Sequence, residues 1–196
     1  MKKPVVLSGV MLFTSEYACA KAAKARINAK SKGHMTESDL RYLRYAIMIA
    51  ERAREHGSPP FGAVLVSSRG WILSEGENTQ GATSDCTCHA ETNLLKEATR
   101  DYSRRLLAHS TLYSSAEPCP MCAGAIFWSG VGRVVFALSS EHLYALTQNK
   151  AEHLFERCAD VLANGTHRVE VCGPMLEDEA ESVFRKSIES QKTAVD

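Results

Sequence analysis

Three residues constrain the fold of this chain more than any others. His89, Cys119 and Cys122 can hold one metal ion only if the chain brings two distant segments together. Cys119 and Cys122 stand at i and i+3, so on a helix they share a face. One imidazole and two thiolates are three ligands of a tetrahedral Zn²⁺, the number that leaves a coordination position open for water. The pattern places His89 and the cysteines at the starts of two helices, whose partial positive charge favours the thiolate form. Glu91 lies two residues past His89, about 200° around a regular helix, which removes it from the ligand set and turns it toward the water. A carboxylate there can take a proton from the water and hand it to a substrate.

Other readings of the same residues stand beside this one. Cys119-x-x-Cys122 alone is also the spacing of a redox pair, which would leave His89 and Glu91 without a role. Cys86 and Cys88, just before His89, could supply a fourth ligand and close the site into a structural one. The chain's 7 cysteines, an odd number, fit reduced thiols better than a disulfide framework.

Apolar residues at Leu40, Leu43, Ala46, Ile47, Ile49, Ala50 and Ala53 predict an opening amphipathic helix over 37–56, capped by Thr36 or Ser38 and stopped by Gly57-Ser58-Pro59-Pro60. Runs over 61–67 and 71–76, joined at Ser68-Arg69-Gly70, predict a hairpin, and 77–87 reads as a polar loop. Helices over 89–100 and 118–128 alternate with strands over 111–115 and 131–137. A helical stretch over 141–146, a strand over 168–172 and a helix over 177–188 follow. The order αββαβαβαβα predicts a central sheet with helices on both faces.

Lys plus Arg and Asp plus Glu both number 23, but the balance is uneven along the chain. Residues 1–34 carry seven basic residues against Glu16 alone, leaving the remainder at −6. We expect a basic N-terminal extension over 1–34, a tail or a leader, and one catalytic domain over 35–196; a secretory or organellar leader is the competing reading of the extension. An acidic domain is poorly suited to holding nucleic acid, and no run of about 18 apolar residues predicts a membrane span.

His89-Ala90-Glu91 followed by Pro118-Cys119-Pro120-Met121-Cys122 resembles the zinc-dependent cytidine deaminase superfamily, over roughly Glu37 to Ile188. The resemblance implies an α/β, three-layer α/β/α fold with a five-stranded mixed sheet. It also implies one Zn²⁺ per chain on His89, Cys119 and Cys122, with Glu91 as the proton carrier. In the same terms Asn78, Phe61, Ala90, Trp128 and Glu141 form the base pocket. Glu117 also matches, although an acid there could equally satisfy helix N–H groups. Thr111-Leu112-Tyr113, Val134-Val135-Phe136 and the Ile126-Phe127-Trp128 turn resemble the guanine deaminase and tRNA adenosine deaminase branch, with the turn on the guanine side.

The expected reaction is therefore guanine to xanthine plus ammonia. tRNA adenosine-to-inosine or cytosine deamination are the alternatives, and a zinc-stabilised binding module is the non-enzymatic one. A cytoplasmic homodimer acting on a small-molecule purine, without a nucleic-acid partner, completes the expectation.

Overall fold

The structure, a computed structural model, describes residues 36–147, 154 and 156–193; the expected extension over 1–34 lies outside them. Helix α1 (Glu37–Glu55) opens with a capping box in which the Asp39 N–H donates to Thr36 Oγ1 at 3.2 Å and the Thr36 N–H donates to Asp39 Oδ2 at 2.8 Å. Of the two expected caps, Thr36 does the work. Strands β1 (Gly62–Val66) and β2 (Ile72–Glu77) form the expected hairpin, turned at Gly70 with φ +81°. The polar loop after it contains a short helix, α2 (Gln80–Thr83). Helices α3 (Ala90–Asp101) and α4 (Arg104–Leu107) lead into β3 (Thr111–Ala116). Helix α5 (Pro120–Ser129) and β4 (Arg133–Leu138) follow. Then come α6 (Ser140–Leu146), α7 (Cys158–Ala163), β5 (Glu170–Cys172) and α8 (Glu177–Thr193). Helices α4 and α7 were not predicted, because four and six residues are too few to establish a helical period.

The sheet runs β2-β1-β3-β4-β5, antiparallel across β2/β1/β3 and parallel across β3/β4/β5. Mixed pairing follows from the connections: a hairpin joins β1 to β2, whereas helices cross from β3 to β4 and from β4 to β5. Both faces of the sheet are covered. Val64, Val66, Tyr113 and Val135 pack with α1 and α8; Ala63, Leu65, Leu112 and Val134 pack with α3, α5 and α7. This two-sided burial is why β1 and β4 read as continuous apolar runs. Leu65, Leu94 and Leu112 have no exposed surface, and cutting any of them to Ala would cost about 2–5 kcal/mol.

Two glycines set how close the helices lie. A Cβ on Gly62 would sit 2.4 Å from the Ala46 carbonyl oxygen of α1. One on Gly76 would sit 2.2 Å from the Ala90 carbonyl oxygen at the start of α3. Gly76 therefore lets the first turn of α3, which carries Glu91, rest directly on β2.

Candidate active site

His89 is the N-cap residue of α3, and Cys119 is the N-cap residue of α5, with Pro120 in the first helical position. Neither side chain is used to cap its helix, so both remain available to a ligand. Cys122 lies one turn into α5 and is buried. The fold brings all three together: His89 Nδ1 is 3.6 Å from Cys119 Sγ and 3.5 Å from Cys122 Sγ. In a tetrahedral zinc site with bonds of about 2.0–2.1 Å to nitrogen and 2.3 Å to sulfur, the nitrogen–sulfur edge is about 3.6 Å. These side chains are spaced as the edges of such a tetrahedron. The three ligand atoms lie within 4.8 Å of one another, and this is the one group of its kind among the described residues. Cys86 and Cys88 do not join it.

The two thiols are held unequally. A hydrogen bond from Cys122, helped by His89, holds Cys119 down at about 4 against the opposing effect of burial. Cys122 is pushed up by its hydrogen bond to Cys119, by burial and by the nearby Glu91 carboxylate. A divalent cation bound here would be held by both cysteines as thiolates. The hydrogen bond to Cys119 raises His89 against the opposing effect of burial.

Glu91, only 6% exposed, stands beside this group but outside it. Its Oε2 is 3.5 Å from Cys122 Sγ, and its Oε1 accepts a hydrogen bond from Ser114 Oγ at 2.9 Å. Burial pushes its carboxyl up despite the Ser114 bond. Ser114 had no role in the sequence reading. The usable signal was the polar pair Ser114-Ser115 within a buried strand, since buried hydroxyls need partners.

A cavity of about 450 Å³ opens onto His89, Glu91 and Cys119. Phe61 lines it and meets Phe184 of α8 edge-on at 5.0 Å between ring centres. Met121, Leu143, Tyr144, Ser187 and Ile188 also line the cavity, and the sequence reading named none of them as pocket residues. Among the described residues, the lining contains neither Lys nor Arg.

The other expected pocket residues are placed differently. Ala90 is fully buried in the core beneath α3, between two residues that face the cavity. Asn78 is buried but engaged locally: its Nδ2 donates to Gln80 Oε1 at 3.0 Å, and its Oδ1 accepts from the Gln80 N–H at 2.9 Å. Its own N–H donates to the Phe61 carbonyl at 3.0 Å, so it supports a lining residue without lining the cavity itself.

Trp128 and Glu141 require correction. Trp128 is 76% exposed, because α5 turns Cys122, Ala123 and Ile126 inward and a residue two further on points to water. Glu141 is exposed in the first turn of α6, where Leu143 and Tyr144 face the cavity instead. Glu117 lines the cavity and accepts the Ser140 and Cys158 N–H groups, each at 3.0 Å, which ties the starts of α6 and α7 to the end of β3.

Residues 36–138 match the model of the cytidine and deoxycytidylate deaminase zinc-binding region. A probable cytosine deaminase of Schizosaccharomyces pombe is 43% identical over 152 residues, covering 76% of this chain and 92% of the relative. A tRNA-specific adenosine deaminase of Haemophilus influenzae is 36% identical over 161 residues, covering 80% of this chain and 89% of the relative. Among solved structures, a guanine deaminase from Nitrosomonas europaea shares the fold at a TM-score of 0.63 and 21% identity, covering 95% of this chain and 98% of that one. The ligand geometry, the carboxylate beside it and the matched sequence agree: this chain belongs to the cytidine and deoxycytidylate deaminase family, with His89, Cys119 and Cys122 as its candidate zinc site.

Proposed function

We propose that this chain hydrolytically deaminates a free nucleobase, with guanine as substrate and xanthine and ammonia as products. The observation that carries the free-base reading is the cavity wall. It is apolar and aromatic at Phe61, Tyr144 and Phe184, and among the described residues that line it there is no Lys or Arg to hold a phosphate. A nucleotide or an anticodon loop brings phosphates that need such cations, whereas a neutral base needs a flat apolar bed and a few polar groups. The cavity has room for a two-ring base such as guanine. Trp128, turned to solvent, gives this reading no support.

Zinc, when bound, supplies a Lewis acid that makes water nucleophilic near neutral pH. The protein's own residues do the remaining work. Phe61 and Phe184 bound the space where the base lies, and burial strengthens electrostatic contacts there. Glu91 takes the proton from the attacking water and delivers it to the ring nitrogen beside the amino-bearing carbon; it then carries the remaining hydroxyl proton to the amino group, which leaves as ammonia as the C–N bond breaks and the carbonyl forms. Ser114 fixes the Glu91 carboxylate through Oε1, leaving Oε2 on the side of the ligand cysteines.

A second reading, cytosine as substrate, is favoured by the fission-yeast relative at 43% identity. Ammonia release measured on guanine, cytosine, adenine, guanosine and an adenosine-bearing anticodon stem-loop separates these readings. Turnover of guanine well above the rest supports the proposal; a preference for cytosine replaces guanine within it. Turnover of the stem-loop alone would overturn the free-base reading. The proposal extends to a cytoplasmic homodimer, which a sizing measurement and localisation of the tagged full chain would test.

A further inference from the structure

A groove of about 740 Å³ lies against the β1–β2 hairpin, lined by Arg69, Trp71, Arg105 and His109 with Ile72, Leu106 and three serines among its other residues. Its position separates it from the active site. The hairpin turn lies beyond Val66, which pairs with Thr111 at the start of β3, while the metal ligand Cys119 follows the end of that strand.

Four features define the groove. Trp71 is 71% exposed, the large indole face that proteins normally cover or use. The hairpin holding it is fixed: the Ser67 N–H donates to the Trp71 carbonyl at 2.9 Å, the Trp71 N–H donates to Ser67 Oγ at 3.1 Å, and Tyr42 Oη donates to the Gly70 carbonyl at 2.8 Å. Arg69 and Arg105 are exposed and form no ion pair among the described residues. Among the described residues, no acidic residue lines the groove, although the domain as a whole is acidic.

We propose that this groove is a second ligand site that takes a free nucleotide, its base stacked on Trp71 and its phosphates on Arg69 and Arg105. An aromatic face beside unpaired guanidinium groups matches a ligand that is flat and apolar at one end and anionic at the other. Charge distinguishes a nucleotide from a nucleic-acid strand. A strand needs a track of cations and is repelled by the −6 charge of residues 35–196, whereas a small ligand feels mainly the groove, because charges beyond about 8 Å are screened at physiological salt. The volume also falls in the range of small-ligand sites, about 300–1,000 Å³.

The test uses the full zinc-loaded chain carrying Trp128→Phe, which leaves Trp71 as its one tryptophan. Titration with ATP, GTP, AMP and GMP should quench the remaining fluorescence saturably. In the otherwise native chain, calorimetry should show affinity falling at least tenfold in Trp71→Ala and in Arg69→Glu/Arg105→Glu, and less in Trp71→Phe, which keeps a stacking face. Nucleobase turnover should be unchanged in these groove variants, whose folding is checked by melting temperature. The proposal would be overturned by unaltered nucleotide affinity in the folded variants, by competition from inorganic phosphate as effective as that from nucleotides, or by displacement of the nucleotide by a substrate base, which would place it in the catalytic cavity. Tighter binding of a twelve-residue single-stranded oligonucleotide than of any mononucleotide would overturn it in favour of nucleic acid.

Discussion

Neighbouring residues on β3 hold two buried carboxylates on opposite faces of the sheet. Tyr113 Oη donates to Asp39 Oδ1 at 2.8 Å on the α1 face, and Ser114 Oγ donates to Glu91 Oε1 at 2.9 Å on the α3 face. Asp39 is 2% exposed and Glu91 6%, but Glu91 lies deeper, and their partners differ as well. Burial pushes Asp39 up, but hydrogen bonds from Arg133, the Thr36 N–H, Tyr113 and the Thr36 hydroxyl outweigh it and leave the carboxyl at about 2. Arg133 reaches it at 2.7 and 3.2 Å. Glu91 has a hydroxyl and a thiol but no guanidinium, and burial prevails. A buried acid surrounded by donors and a cation is held as an anion; one left short of them keeps its proton more readily.

Substitutions on each face should separate these roles. Glu91→Gln should lower turnover by about 10³-fold or more while zinc content stays at one per chain and the melting temperature is not reduced. Full activity in this variant would remove Glu91 from the reaction. Asp39→Asn should do the reverse. It leaves Arg133 with an amide in place of its counter-charge and should cost about 3 kcal/mol in urea unfolding, while the folded fraction keeps its kcat.

Acid titration sharpens the same contrast. Because the folded pKa of Asp39 lies below its unfolded value of 3.8, its stabilisation is present above about pH 4 and is lost as pH falls toward 2. The loss corresponds to about 2 kcal/mol, and Asp39→Asn should flatten the native chain's decline in stability over that window. Ser114→Ala should have the smallest effect, lowering kcat about tenfold with KM and metal content unchanged, since it frees the Glu91 carboxylate without removing it.

The metal ligands and Glu91 were legible in the sequence because each group is local. Two residues one turn apart, and two at a helix start, fix their relative directions before any tertiary contact is known. The strands were legible because a sheet covered on both faces imposes apolar runs. The cavity wall was not. Phe184, Ser187 and Ile188 come from the last helix, and only the packing of α8 against α1 and β4 brings them beside Phe61. Trp128 was misplaced for a related reason: residue type marked it as a stacking platform, but the phase of α5 set its direction. Trp71, in the turn-flanking part of the hairpin, is the tryptophan that the fold presents at a groove with unpaired arginines.

Metal removal and return test the central claim most directly. Chelated chain should release no ammonia from its base substrate, and titration with Zn²⁺ should restore turnover linearly to a break at one equivalent per chain. Cys122→Ser, lacking one of the three ligands, should show no such break. Undiminished turnover by the metal-free chain, or full activity restored in Cys122→Ser by the same single equivalent, would contradict the account.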